Sequence, residues 1–503
     1  MTSSCAANSE KVGTACAVSE NPVVVDLRKL KGRIWSGGSE GEPAAGDLDE
    51  RMYRGFLAHG AEFLAAVKGR FGVTYYDAAE RQIFLCRDWV GEVPLHYYLV
   101  EDSMVVANSI ADIREHVGPE HFRYEFVRAV PHSHAMLFDS TEMYRVGTTR
   151  RRSFRVRQKT LWCDFAARIS SAQQLSKENP QTTAGAGLRL ALEGAVRERL
   201  ESWPTQSSVA VLLSGGIDSL CIAYLAKRIR PDVVAYTLEA GDGGEDAVRA
   251  QEIAAAFGLP IRVVHVDPEE FAKDYPNAVA ASEIYHLPNV YCAAGMRFLG
   301  RALQRDGVQA AFCGEGVNEA LGDYHDWTVD DPRDGTRRVL QCVDDKVFAH
   351  VAGRLRYVWG RPDTGGRYNF QLGSGLAKHG ISRMVKPMLG YGVQLECPWL
   401  DRDVMVKLVP ISGEEIERVG GKPGLMAEVF RQDIENGIMP PHFILESRKT
   451  RLQDASEHGR GGFTGHLLAA GFDQSATLEL FNRQFGAHLD STLDARRLTN
   501  CML

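Results

Sequence analysis

The stretch Val211-Leu212-Leu213-Ser214-Gly215-Gly216-Ile217-Asp218-Ser219 decides how the chain folds. On its N-terminal side, Ser208 to Leu213 reads as a buried parallel strand, with Val209 to Leu213 an unbroken apolar run. After it, Ile222, Leu225, Ala226 and Ile229 recur at helical spacing. Between strand and helix, Gly215 and Gly216 let the backbone approach a ligand closely. Ser214 and Ser219 add hydroxyls, and the amides of the loop and the first helical turn form an anion cradle. Asp218 offers a hard carboxylate oxygen to a divalent cation riding on phosphates. The competing reading is a plain strand–turn–helix junction in which Ser and Asp cap the helix. No Gly-Lys-Ser/Thr follows, so the loop is not a Walker loop, and GxGxxG is absent.

Working outward, the same alternation repeats. Leu188 to Leu200 reads as a helix and Val233 to Leu238 as a second strand. Ala247 to Phe257 is helical and closed by Gly258, Ile261 to Val266 is a third strand, and Ala310 to Cys313 a fourth. Strands alternating with helices predict an open, doubly wound parallel α/β sheet. Beyond about residue 325 the pattern is mostly helical.

Upstream the character differs. Residues 1–22 are small and polar and read as a loose terminus. Val23-Val24-Val25 is β-rich, and Ser36 to Pro43 is loop. Asp49 to about Lys68 suits an amphipathic helix ended by Gly69. Gly72 to Tyr76 and Gln82 to Cys86 form one hairpin, and His96 to Val100 with Met104 to Ala107 form another. The expected organisation is therefore an antiparallel α+β domain over 23–165 and an α/β domain with a helical C-terminal part over 166–503.

Several segments, taken in order, carry a resemblance. Phe84-Leu85-Cys86-Arg87-Asp88-Trp89-Val90-Gly91-Glu92-Val93-Pro94-Leu95-His96-Tyr97-Tyr98 is similar to the "FLARDRLGIKPLYY" segment of asparagine synthetases. The loop at 214–219 resembles the pyrophosphate loop of the ATP pyrophosphatases. Asp246 to Ala254 resembles the acidic helix after the second strand, and Cys313-Gly314-Glu315-Gly316-Val317-Asn318-Glu319 resembles "SGEGSDE". Gly392 to Asp401 resembles "GVEARVPFLD", and Ser447-Arg448-Lys449 the late lysine segment. The chain thus resembles the asparagine synthetase and β-lactam synthetase group, amide synthetases that adenylate a carboxylate with ATP and pass the acyl group to nitrogen.

That resemblance implies a degenerate glutaminase-like N-terminal domain and an ATP-pyrophosphatase synthetase domain. It implies ATP and pyrophosphate contacts at Leu212, Ser214, Gly215, Gly216, Ile217, Asp218, Ser219, Leu238 and Gly314, with Leu213 beside them. It implies Mg²⁺ at Asp218 and Asn318. Asn318 departs from the aspartate usual there, and an amide oxygen is an uncharged, weaker ligand. Glu315 falls where asparagine synthetases carry a catalytic glutamate and β-lactam synthetases a tyrosine, so its carboxylate is a candidate base for an incoming amine. Lys449 aligns with the lysine that stabilises negative charge on the acyl-adenylate route. The carboxylate substrate is expected near Tyr285 to Met296, with His286 and Tyr291 as candidate contacts and simple packing as their competing reading.

Glutamine-using members need a cysteine directly after the initiator methionine. Here residue 2 is Thr2, and Cys5 is followed by Ala6-Ala7. No "YNGEIYN" stretch is present. Loss of glutaminase activity is expected, with exposure of Cys5 by processing left open. Nitrogen then comes from ammonia, an amine, hydroxylamine, a hydrazine or the substrate's own amine. By analogy with such members, the setting is specialised-metabolite or antibiotic biosynthesis. The alternatives are a nucleotide-binding pseudo-synthetase that serves a partner protein and a tRNA-modifying enzyme with the same loop.

Composition fits a globular, cytoplasmic enzyme. Of 503 residues, 44% are hydrophobic and 24% charged, and the formal net charge of -7 speaks against a nucleic-acid partner. No apolar run reaches the ~20 residues of a membrane span. The 10 cysteines are scattered and read as reduced thiols. A homodimer fits the family.

Overall fold

The computed structural model describes residues 23–26, 32–36, 48–100, 103–140, 143–146, 149–163, 184–240, 244–321, 328–330, 337–339, 380–411, 413–446 and 463–488. The loose-terminus reading of 1–22, the segment around Lys449, and the domain boundary near 165 lie outside them.

The N-terminal part holds strands β1 (Val23–Asp26) and β2 (Gly32–Ser36), helix α1 (Leu48–Ala66), and strands β3 (Lys68–Asp77), β4 (Gln82–Arg87), β5 (His96–Val100) and β6 (Ser103–Ala107). Helix α2 (Ile110–Val117) and strands β7 (Arg128–Ala129), β8 (His134–Asp139), β9 (Met143–Val146), β10 (Thr149–Arg152) and β11 (Arg155–Leu161) follow. Two larger sheets result, in the orders β11-β8-β4-β3-β2 and β1-β6-β5-β7, and β9 pairs with β10 in a two-stranded one. All pairings are antiparallel except β1 with β6, which is parallel. Gly69 does not end α1 as its sequence suggests, because the strand already begins at Lys68 and Gly69 sits inside it.

The Arg87-Asp88 pair explains the "RDWVGE" segment. The buried Asp88 carboxylate accepts from the amides of Phe71, Val90, Gly91, Glu92 and Val93. Arg87 donates to the carbonyls of Val93, Gly91 and Val130. Two buried charges thus fold a tight loop by satisfying its backbone.

The second part begins with α3 (Ala184–Glu201) and alternates strands and helices: β12 (Val209–Leu212), α4 (Ile217–Ile229), β13 (Val234–Ala240), α5 (Glu245–Ala256) and β14 (Ile261–Val266). Then come α6 (Pro268–Ser282), α7 (Leu287–Arg305), β15 (Ala310–Phe312), the short α8 (Val317–Leu321), strands β16 (Thr328–Asp330) and β17 (Arg337–Val339), α9 (Ile381–Leu389) and β18 (Gln394–Glu396). The end of the chain is helical: α10 (Arg402–Leu408), α11 (Gly413–Arg418), α12 (Gly421–Val429), α13 (Arg431–Glu435), α14 (His442–Leu445), α15 (Phe463–Ala469) and α16 (Gln474–Phe485). The central sheet is wholly parallel, in the order β14-β13-β12-β15-β18.

That order reverses between β12 and β15. The chain runs outward from β12 to β14, then returns to lay β15 on the other side. Ligands of open α/β sheets bind in the crevice at the carboxyl ends of strands flanking such a reversal. Ser214–Gly216 and Cys313–Gly316 leave the sheet at that point.

One hydrophobic core joins the two parts, taking in Phe71, Phe84 and Trp89 together with Val211, Phe312 and Trp399. Within the interface lies a buried ionic group. Arg199 pairs with Glu92 at 2.7 Å and Glu396 at 3.1 Å, and Arg70 pairs with Glu396 at 2.9 Å. Trp203 Nε1 also donates to Glu396, and Arg70 to the Gln394 side chain and the Leu395 carbonyl. Two arginines and two glutamates balance in charge.

Candidate functional site

The phosphate loop is built locally. The Leu213 amide donates to the Tyr236 carbonyl, extending the sheet to the loop's first residue. Ser219 Oγ donates to the Gly216 carbonyl at 3.0 Å and accepts from the Ser214 amide at 3.1 Å. With its single proton so used, Ser219 receives the Ser214 hydroxyl, 3.1 Å away. The two serines lash the ends of the loop together. Gly215 has φ +75, and a Cβ there would lie 2.7 Å from the Asp246 carbonyl. Gly216 is the N-cap of α4 and makes no side-chain cap bond, so the cap residue itself leaves the first helical amides uncovered.

The second loop packs directly on the first. A Cβ on Gly314 would meet the Ser219 amide nitrogen at 2.6 Å and the Asp218 carbonyl carbon at 2.7 Å. Only glycine permits that approach, and it brings Glu315 and Asn318 to the start of α4. Trp399 Nε1 donates to the Asp218 carbonyl at 3.1 Å and fixes the backbone from beneath.

Lys422, on the first turn of α12, reaches between the loops. Its Nζ donates to Asp218 Oδ2 at 3.1 Å and to Asn318 Oδ1 at 2.6 Å. Asp218 Oδ1 is buried and has no hydrogen-bond partner. The donor set therefore differs from a two-ligand Mg²⁺ site. One carboxylate oxygen is uncommitted, while the other and the Asn318 amide oxygen already serve an ammonium. Among the described residues no group of three or more His, Cys, Asp or Glu could hold a metal. The pair Asp218 and Asn318 is brought together as the sequence suggests, but around a lysine.

Glu315 has a partner that the sequence did not disclose. Arg383, on α9, donates to Glu315 Oε1 at 2.7 Å and to Asn289 Oδ1 at 3.0 Å. Asn289 Nδ2 lies 2.6 Å from His286 Nδ1. Arginine only donates, so Asn289 Oδ1 faces it, Nδ2 faces the histidine, and Nδ1 of His286 accepts. A hydrogen-bonded chain thus runs His286–Asn289–Arg383–Glu315, joining the segment expected near the substrate to the candidate base. Tyr291 stands apart. It is 4% exposed and its ring packs on Tyr275, with burial pushing its phenol up. Its hydroxyl makes no hydrogen bond. Leu212 and Leu238 lie in neighbouring strands at the same end of the sheet.

Lys449 lies outside the described residues. The last ones before it are anchored: Arg249 of α5 donates to the carbonyls of Phe443 and Glu446, at 2.9 and 3.1 Å. The same helix carries the Asp246 carbonyl that crowds Gly215.

Lys422, Arg383 and Asn289 were not singled out in the sequence. Lys422 had one local signal, a lone cation in Gly420-Gly421-Lys422-Pro423-Gly424. Arg383 had none, since it sits among ordinary helix residues.

A parallel sheet with a Ser-Gly-Gly loop at its reversal point is the arrangement of a doubly wound α/β fold with a candidate anion site. Comparison narrows this. A model described as asparagine synthase matches residues 187–364, and one described as a glutamine amidotransferase domain matches 17–115. The glutamine-hydrolysing asparagine synthetase of Gallus gallus is 24% identical over 422 residues, covering 81% of this chain and 67% of that protein. That of Cricetulus griseus is 25% identical over 400 residues, covering 78% and 64%. Amidase chry2 of Gibberella zeae is 27% identical over 297 residues, covering 54% and 42%. The matched stretch thus spans from under half to about two thirds of these relatives. Together these matches support an asparagine synthetase-like family for the chain.

Proposed function

We propose that the chain is an ATP-dependent carbon–nitrogen ligase that forms AMP and an amide without hydrolysing glutamine. The observation that carries this reading is the contact between the two loops. Gly314 seats the Glu315–Asn318 segment on the first turn of α4, so an anion cradle and a carboxylate share one crevice. The substrate carboxylate attacks the α-phosphorus of ATP, the α–β anhydride bond breaks, and pyrophosphate leaves. A nitrogen nucleophile then adds to the acyl carbon, and AMP departs with the bonding electrons.

In this chain Ser214, Gly215, Gly216 and Ser219 orient the leaving pyrophosphate, and Leu212, Leu213 and Leu238 border the base. Glu315, its Oε1 pinned by Arg383, presents its other oxygen for the proton of the amine. Lys449 is assigned the charge of the acyl-adenylate route from the resemblance alone. A Mg²⁺ brought by ATP would be held by Asp218 Oδ1, the buried oxygen that no hydrogen bond uses, and would neutralise charge on the leaving pyrophosphate.

The partners are a small carboxylic acid and an amine-type donor. The setting we infer is a specialised, antibiotic-type pathway in the cytoplasm, with the chain as a homodimer. No described helix is long and apolar enough to cross a membrane. The glutamine amidotransferase match begins at residue 17, beyond Cys5. The test is pyrophosphate release over a panel of acids with ammonia, hydroxylamine, small amines and glutamine. Release that needs one acid and rises with an amine supports the reading. Equal stimulation by glutamine contradicts the loss of glutaminase activity.

A further inference from the structure

We propose that the Lys422 ammonium takes the place of a protein-held divalent cation between Asp218 and Asn318, so that the chain grips pyrophosphate without a metal of its own. The proposal rests on the ligase reading above and deepens it.

Three observations converge. First, the geometry: Nζ bridges Asp218 Oδ2 at 3.1 Å and Asn318 Oδ1 at 2.6 Å, the two atoms that a shared cation would join. Second, the charge: the residue at 318 is an amide. Asp218 carries −1 and Lys422 +1, and Asn318 adds no charge of its own. A second carboxylate would leave the group negative and favour a divalent ion. An amide oxygen accepts from an ammonium without adding charge. Third, the placement: the lysine enters from a stiff turn. Gly420 and Gly421 have φ of +93 and +77, and Pro423 follows directly. The side chains of Lys422 and Asp218 are only 15% and 12% exposed, so water screens the pair weakly.

Lysine is a compact point charge that suits phosphate as well as carboxylate. Its charge at the first turn of α4 adds to that helix's N-terminal field, and both favour an anion in the loop. Asp218 Oδ1 remains for a metal already chelated by the nucleotide.

The test uses the full chain and two probes: Mn²⁺ alone, followed by electron paramagnetic resonance, and inorganic pyrophosphate in EDTA, followed by calorimetry. Wild type is expected to bind pyrophosphate in EDTA and to retain no Mn²⁺ without nucleotide. Lys422→Met is expected to weaken pyrophosphate binding about tenfold or more, the loss of one charge-assisted bond. Lys422→Arg is expected to keep most of it and shows that the site tolerates a second cation. Asn318→Asp with Lys422→Met is expected to bind Mn²⁺ about tenfold more tightly than wild type. Melting curves show which variants fold, and Asn318→Asp alone, which keeps the lysine, gives the Mn²⁺ arm a variant with the smallest change. The proposal is overturned if wild type holds Mn²⁺ as tightly as the double variant, or if Lys422→Met binds pyrophosphate in EDTA like wild type. Failure of wild type to bind pyrophosphate or ATP, with or without Mg²⁺, overturns the ligase reading itself.

Discussion

Glu315 shows how much of the chemistry depends on one partner. Its carboxylate is a candidate base, yet Arg383 pins one of its oxygens at 2.7 Å. Glu315→Gln keeps the shape and removes the basic oxygen. It is expected to lower kcat about a hundredfold, in the range of a lost general base, with ATP affinity unchanged by calorimetry. Arg383→Lys is expected to restore only part of the activity lost in Arg383→Ala. A lysine cannot serve Glu315 and Asn289 with the fixed fork of a guanidinium. Steady-state rates on the two variants check this, and equal rates for Lys and Arg would refute the two-direction role. Glu315 stood out in the sequence from the family resemblance and from Gly314 and Gly316, which flank it in a loop after an apolar strand. Its partner was not, because Arg383 lies 68 residues away along the chain and only packing brings it in. Lys422 was hidden for the same reason, 104 residues from Asn318.

At the scale of elements, the crevice depends on two glycine contacts. Gly314→Ala would place a methyl 2.6 Å from the Ser219 amide, and both neighbours are backbone that cannot rotate away. The loops must part, so pyrophosphate binding is expected to fall more steeply than thermal stability. Pyrophosphate calorimetry beside a melting curve tests this, and unchanged binding would mean that the loops need not touch. The strands themselves were legible. Val209–Leu212 and Ala310–Phe312 are short apolar runs ended by Gly-containing loops, and Ile261–Val266 falls where its pattern placed it. The end of α1 was misread because Lys68-Gly69 looks like a helix stop, whereas pairing with Gly32–Ser36 carries those residues into a strand. Tertiary pairing outweighed a local signal.

Across the whole molecule, the N-terminal part is more than an appendage. Glu92, Arg199, Arg70 and Glu396 form a buried, charge-balanced group that ties the first sheet to α3 and to the last strand of the second. Removing one member leaves the others buried without their partner. Arg199→Ala is therefore expected to cost about 3–5 kcal/mol, read as a lower denaturant midpoint. Both parts are expected to unfold in one transition. Two separate transitions in wild type would show that the interface does not couple them. None of this was legible in the sequence, where Glu92 and Glu396 look like two ordinary glutamates among many. Glu283 adds a second tie: it accepts from the amides of Ile110 and Ala111 at the start of α2 and pairs with Lys386. It sits just before the His286 segment, so the N-terminal part also braces one wall of the crevice.

Activation of a carboxylate by ATP in the crevice is what the proposed ligase reaction requires. The most direct measurement is carboxylate-dependent exchange of labelled pyrophosphate into ATP, on the full chain with Mg²⁺ and no nitrogen donor. The expected result is exchange that needs one acid and disappears in Ser214→Ala with Ser219→Ala. Tight ATP binding without exchange for any acid, alongside ADP rather than AMP formation on turnover, would show that the crevice does not adenylate a carboxylate.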